Sequence, residues 1–331
     1  MTRERAFQLY SGDGVAISKR GLRLPLFERL AGLDDPALYI AEPGLRDAVN
    51  VALALGQPLL VTGEPGTGKT QLAHSLAHEL GLAAPLVSQT KTTSTAKDLF
   101  YRYDALGHFH DAQFRKDVAV IDDYIAYEAL GLAILLSMNP AEANRHLPAH
   151  LRDNGPVRSV VLIDEIDKAP RDLPNDVLNE IETMSFTVKE TGQIFSADQR
   201  YRPILVLTSN SEKNLPDAFL RRCVFYHISF PDHERLKAIV QSRLRFHTDF
   251  TPQMLDHAIH HFEEIREMAL KKKPATAEFL AWVQILEKMN LDVAALKPGE
   301  AEALAFSYSI LAKSKEDKDI LYRTFVEPHK T

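Results

Sequence analysis

Apolar residues recur at helical spacing from Glu42 to Leu55, with Pro43 near the start and Gly56 just past the end, which predicts a helix there. The short apolar run Pro58–Thr62, closed by Gly63, reads as a buried strand. A helix over Thr70–Leu80 follows, with Leu72, Ala73, Leu76, Ala77 and Leu80 on one face and Gly81 as its C-cap. Similar apolar runs return at Ala84–Val87, Val160–Ile163, Ile204–Leu207 and Val224–Phe230. Short apolar strands alternating with helices predict an α/β sandwich, a parallel sheet covered on both faces.

The pattern changes after Phe230-Pro231-Asp232, where strand-like runs stop and helical periodicity takes over. Leu236, Ile239, Val240 and Leu244 share one face; Leu255, Ala258, Ile259, Phe262 and Ile265 share another, after a Thr251-Pro252 start. A third helix opens at Thr276 and carries Phe279, Leu280, Val283 and Leu286. The expected organisation is an N-terminal extension over 1–35, an α/β domain over 36–231 and an all-helical domain over 232–331.

Composition narrows the function classes. The 331 residues are 45% hydrophobic and 25% charged, which is globular composition and argues against a mainly disordered chain. A formal charge of -6 disfavours a dedicated nucleic-acid binder, which normally shows a basic excess. The lone Cys223 leaves no disulfide and no cysteine-based zinc framework. Charges at the N-terminus replace the apolar run of a signal peptide, and the longest apolar run, Ala129–Met138, is about half a membrane span. A soluble, cytoplasmic protein with no membrane partner is expected.

The sharpest chemistry lies between the first strand and its helix. Gly63-Glu64-Pro65-Gly66-Thr67-Gly68-Lys69-Thr70 fits G-x-x-x-x-G-K-[ST], the P-loop pattern. Glycines let the backbone curl so that successive N–H groups converge on phosphate oxygens. Lys69 puts a compact positive charge on the β and γ phosphates, Thr70 offers a hydroxyl to Mg²⁺, and the helix points its N-terminal dipole at the anion. An accidental turn would not also sit between a strand and a helix, the context the motif requires.

Three further features gain meaning from that site. The strand Val160–Ile163 runs into Asp164-Glu165: Asp164 is placed to hold the Mg²⁺ shell through water, and Glu165 to polarise a water towards the γ-phosphate. Without a P-loop upstream, Asp-Glu-Ile-Asp would be an ordinary solvated loop. The strand Ile204–Leu207 ends in Thr208-Ser209-Asn210; an amide there can contact the γ-phosphate or position water, although Asn is also a common turn residue. Arg221 and Arg222 stand just before the last strand, where a guanidinium can reach a neighbouring subunit's γ-phosphate or merely solvate a helix end.

This order of P-loop, strand-Asp-Glu, strand-Asn and paired arginines, followed by helices, resembles the AAA+ ATPases, and within them most closely the MoxR-like group. The resemblance covers about residues 36–290. It implies a P-loop NTPase parallel-sheet sandwich followed by an all-helical lid domain, with ATP and Mg²⁺ as cofactors. By the same resemblance Lys69 and Thr70 belong to Walker A, Asp164 and Glu165 to Walker B, Asn210 is sensor 1, and Arg222 is the arginine finger with Arg221 as second candidate. It implies a homo-oligomeric, hexameric ring that remodels or chaperones a protein client, such as one carrying a von Willebrand factor A domain. The chain departs from the family pattern in three respects. The interval between Lys69 and Asp164 is long, with the excess in Tyr101–Pro156; Glu278 falls where a sensor 2 arginine is usual, leaving Lys272 or Lys273 to substitute; and the arginines are doubled.

Other features favour structural roles. Phe100, Tyr101, Arg102, Tyr103 and Phe109 can grip a polypeptide or stack on nucleic acid, but packing against the sheet is the expected role. Residues 186–193 read as a β-hairpin. His257 and His261 fall one turn apart, yet without HExxH or cysteine support the cluster His257, His260 and His261 is expected to be solvated, as is the Lys271–Lys273 run. Three rival readings remain: a nucleic-acid motor on the same core, a small-molecule P-loop kinase, and a nucleotide-gated scaffold with little turnover.

Overall fold

The computed structural model describes residues 10, 12–15, 17–20, 35–114, 120–152, 155–211, 215–244 and 250–329. Of the expected N-terminal extension, 1–35, only residues 10, 12–15, 17–20 and 35 are among them. The chain divides into two compact units, Tyr39–Phe230 on the one hand and Pro231–Thr331 with the residues up to Leu38 on the other.

Among the described residues, nine strands and eight of the helices form the first unit. The strands are β1 (Leu59–Gly63), β2 (Leu86–Gln89), β3 (Tyr101–Tyr103), β4 (Ile125–Tyr127), β5 (Val160–Asp164), β6 (Ser185–Val188), β7 (Gln193–Ser196), β8 (Ile204–Ser209) and β9 (Val224–Ile228). The helices are α1 (Pro43–Leu55), α2 (Lys69–Glu79), α3 (Ala105–Phe114), α4 (Ala129–Ser137), α5 (Pro140–Ala143), α6 (Leu173–Asp176), α7 (Leu178–Thr183) and α8 (Asp217–Leu220). The central sheet has the order β2-β5-β8-β1-β9, and every pairing in it is parallel. Sequence runs and strands coincide to within about two residues. The largest shift is at β2, which pairs through Leu86–Gln89 where the apolar run ends at Val87, because an edge strand needs only alternate burial.

Period-two alternation sends consecutive side chains of each strand to opposite faces. Leu59, Val61, Val160, Leu162, Val206 and Ile228 face α1 and α2, in a core with Leu45, Leu72 and Leu76. Leu60, Val161, Ile163, Leu205 and Leu207 point the other way, into a core with α4 and the buried rings of Phe100, Tyr101, Phe186 and Phe195. That second face is covered by the long interval between β2 and β5. It contains the antiparallel pair β3–β4 as well as α4, and the β6–β7 hairpin joins it. Gly131 of α4 lies against the Phe100 carbonyl where a Cβ would collide, so the helix seats directly on the backbone.

The second unit is helical among the described residues: α9 (His233–Arg243), α10 (Pro252–Glu267), α11 (Thr276–Met289), α12 (Ala301–Ser307) and α13 (Lys315–Phe325). Asp232, Thr251 and Ser314 cap α9, α10 and α13 through their side-chain oxygens. Ser242 donates to the Leu38 carbonyl at 3.4 Å, which ties the residues before Tyr39 to this unit. Its core gathers Leu236, Val240, Leu255, Ile259, Phe262, Phe279, Trp282 and Leu286, all buried.

Candidate active site

In a parallel sheet every strand ends at the same edge, so β1, β5 and β8 deliver their following residues to one place. At the end of β1, Gly63 has φ 150, and a Cβ there would stand 2.6 Å from the Ile228 carbonyl oxygen of β9. Gly66 and Gly68 take left-handed values, φ 78 and 89, and Gly68 is the N-cap of α2. Glu64, Pro65 and Gly66 form the exposed apex of the turn, and the Thr67 hydroxyl ties its base by donating to the Glu64 carbonyl at 2.9 Å.

Lys69, the first residue of α2, is 7% exposed. Its Nζ donates to the carbonyls of Gly63 (2.8 Å) and Glu64 (2.9 Å) and to Asn210 Oδ1 (3.0 Å). Burial holds the ammonium below the usual lysine range, against the pull of Asp167, Asp164, Glu165 and Glu64. Asp164 closes β5, and its Oδ1 accepts from the Thr70 hydroxyl (3.1 Å) and the Thr208 hydroxyl (2.6 Å). Glu165 has left-handed backbone, φ 55, an uncommon state for a residue with a side chain. Its N–H donates to Thr208 Oγ1 at 2.9 Å, and its carboxylate, 40% exposed, pairs with Lys168. Asn210 follows β8, with its N–H donating to Asp167 Oδ1 at 3.2 Å.

The structure therefore brings Lys69, Thr70, Asp164 and Asn210 into one network, with Glu165 beside it. Sequence reasoning missed four of the residues that build it: Thr90, Thr208, Asp167 and Lys168. Thr90 donates to the carbonyls of both Asp164 and Glu165, and Thr208 joins the two acidic residues. The signal for Thr208 was its place one residue before Ser209-Asn210. The donor set also passes the test for Mg²⁺, since a threonine hydroxyl and a carboxylate at hydrogen-bond distance are hard oxygens of the kind that ion prefers.

A family model described as AAA domain (dynein-related subfamily) matches residues 58–223, half of the chain, from the entry to β1 to the approach to β9. The chain belongs to that AAA family. Nucleotide binding and ATP hydrolysis are what this family of P-loop ATPases does in general, and its members commonly form oligomeric rings. No curated protein matches the chain. No helix among the described residues is long and apolar enough to cross a membrane.

The AAA domain places its two arginines away from this network. Val224 of β9 pairs with Leu59, and its N–H donates to the Pro58 carbonyl, so Arg221 and Arg222 sit at the edge where the strands begin. Five residues of strand, about 17 Å, separate that edge from the phosphate turn. Both arginines line a cleft of about 520 Å³ with Gly56, Glu182 and Arg202. Arg222 Nε donates to Glu182 Oε1 at 2.6 Å and its Nη1 to the Ala218 carbonyl, while the Arg221 backbone N–H donates to the Asp217 carbonyl at 3.0 Å.

The remaining sequence candidates separate cleanly. Phe100, Tyr101 and Phe186 are buried, with Phe100 and Tyr101 each stacked on Phe186, as packing predicts, whereas Phe109 is 63% exposed. In the helical unit, Glu278 accepts from the Ala275 N–H at 3.0 Å and so caps α11, which explains an acid at that position. The histidines of α10 are not uniformly solvated. His257 pairs with Asp292 at 2.8 Å, and His261 is enclosed by Trp282, Tyr308 and Phe325. Helical spacing alone could not show that the face carrying His261 meets the aromatic core.

Proposed function

We propose that the protein is a MoxR-like AAA+ ATPase that hydrolyses ATP in a homo-oligomeric, hexameric ring and uses the cycle to remodel a protein partner. The observation that carries the ring is the separation of the arginines from the phosphate turn across the length of the sheet. A guanidinium at the opening edge of β9 is too far to serve the site of its own chain, yet it is exposed for a neighbour's.

In this reading the amides of Gly63–Thr70 bind the phosphates, and Lys69 exchanges its bonds to the Gly63 and Glu64 carbonyls for the β and γ phosphates. Thr70 and, through water, Asp164 would hold Mg²⁺, which would supply charge neutralisation on the phosphates. Glu165 polarises the attacking water, with its backbone fixed by Thr208, and Asn210 aligns that water from the tip of β8. Arg222 or Arg221 of the neighbouring subunit stabilises the charge that develops in the transition state. The helical unit serves as the lid. A client carrying a von Willebrand factor A domain follows from the MoxR-like resemblance.

The test is phosphate release measured against protein concentration, with particle mass determined with and without ATP. Specific activity should rise as rings assemble. Mixing Arg222→Ala with Lys69→Ala subunits should restore part of the activity that each lacks alone, because each supplies what the other is missing. Confirmed mixed rings that stay inactive would remove Arg222, and the same mixture built with Arg221→Ala then tests the second candidate.

A further inference from the structure

A second cluster of chemically capable side chains lies in the helical unit and plays no part in the nucleotide site. His233 is the first residue of α9, just after its cap Asp232. His260 and Glu263 lie three residues apart on α10, and Asp256 sits four residues before His260, so all three acid and imidazole groups share one stripe of that helix. The His233 and His260 rings are 4.4 Å apart between centroids. Glu263 Oε2 stands 3.2 Å from His233 Nδ1 and 3.5 Å from His260 Nδ1. One ligand atom from each of the three residues falls within 4.8 Å of the others.

From this geometry we infer that His233, His260 and Glu263 form a binding site for a divalent transition metal of the zinc type. Two ligands at 2.0–2.2 Å from a tetrahedral ion are about 3.3 Å from each other, and both Glu263–histidine distances already match that spacing. Only the separation between the two imidazoles has to close, which small side-chain rotations accomplish. Two imidazoles with one carboxylate suit zinc and its neighbours rather than magnesium, which prefers oxygen alone. That distinguishes the cluster from the Thr70–Asp164 pair.

The surroundings supply a second layer. With Nδ1 of His233 turned to the site, its Nε2 faces Asp256 Oδ1 at 3.8 Å, and Asp256 is itself held by Lys237 at 2.6 Å. A carboxylate behind a ligating histidine fixes the ring and its tautomer. His260 is 68% exposed, so solvent water has access for the fourth position. The bound ion ties the first turn of α9 to the second half of α10.

Chelator-stripped full-length protein, without nucleotide, is titrated with ZnCl₂ against a chromogenic chelator and separately with Co²⁺, followed by visible absorption. One equivalent should bind, Co²⁺ should give the intense bands of a four-coordinate site, and zinc should raise Tm. His233→Gln, His260→Gln and Glu263→Gln should each weaken zinc at least about tenfold and remove the Tm shift, while His150→Gln changes neither. Glu263→Gln keeps side-chain size, so a folded variant is assured of at least one arm, checked by far-UV circular dichroism. Equal zinc affinity in the three variants, scattered weak binding beyond one equivalent, or no zinc retained would each overturn the site.

Discussion

The two units handle buried polarity in opposite ways. In the α/β unit, Thr62, Thr67, Lys69, Thr90, Thr208 and Ser209 are buried, and most of them stand where strands end. Their bonds run to carbonyls, to Asp164, to Asn210 and, from Thr62, to His227, and Lys69 alone has three partners. The Lys69 bonds are ones that an arriving phosphate can replace. In the helical unit polar groups other than the Thr276 hydroxyl are paired off within the unit: Trp282 Nε1 donates to Ser307 at 2.8 Å, His261 shares a hydrogen bond with Tyr308 at 2.7 Å, and Asp317 accepts from the Lys271 N–H at 2.8 Å. The first arrangement is poised for exchange and the second is closed. Substitutions should therefore cost function in the first unit and stability in the second.

The largest expected effect is that of Lys69→Ala. It removes the one buried cation of the phosphate turn, and nucleotide affinity should fall by about 10³-fold, the scale of truncating one partner of a buried charge contact. A fluorescent ATP analogue measures it. Tight ATP binding by a folded Lys69→Ala protein would erase the contrast between the units. Glu165→Gln comes next. Turnover should drop by about 10²-fold or more while nucleotide binding persists, because a general base contributes to the chemical step alone. Phosphate release and the same binding assay separate the two quantities, and unimpaired release would take Glu165 out of its role.

The site was more legible than the scaffold around it because its chemistry restricts residue identity. Gly63, Gly66, Gly68, Lys69 and Thr70 are each constrained by phosphate geometry, so one chain displays them. The sheet strands were legible for a different reason: β1, β5 and β8 are buried on both faces and read as unbroken apolar runs. The same property hid α4. Its residues Ala129–Ser137 are buried all round except Leu132, so the helical period disappears into a continuous run. Strands β3 and β4 have three residues each, too few for alternation to register. The His233–His260–Glu263 cluster was invisible because its members come from two helices, and α10 spacing draws attention to His257 and His261 instead.

The helical unit offers a pH test with an internal probe. Burial pushes the His261 imidazole down to about 4, against about 6.5 in an unfolded chain. Between those values the unfolded chain binds the proton that the folded one refuses, so stability falls as pH drops through that window and is flat above it. The loss between pH 7 and pH 5 should be about 2 kcal/mol. Trp282, the single tryptophan, stacks on His261 with centroids 5.7 Å apart, so its fluorescence during urea unfolding reports this unit. His261→Gln should flatten the profile; an unchanged slope would place the acid sensitivity elsewhere.

The smallest effect sharpens the comparison most finely, because it changes function without touching stability. Lys168 and Glu165 pair on the surface, with side chains 52% and 40% exposed. The hydrogen bond from Lys168 to the Glu165 carboxylate raises the lysine above its ordinary value. An exposed pair of this kind holds little of the fold together, so Lys168→Ala should leave the urea midpoint where it was. A carboxylate engaged by an ammonium group is a poorer acceptor for a water proton, however. Freed of that partner while its backbone is still held by Thr208, Glu165 should turn over ATP a few fold faster. The steady-state rate at saturating ATP decides it. A slower enzyme would mean that Lys168 orients Glu165 rather than occupying it, and the left-handed backbone at Glu165 would then need the ion pair to aim the side chain.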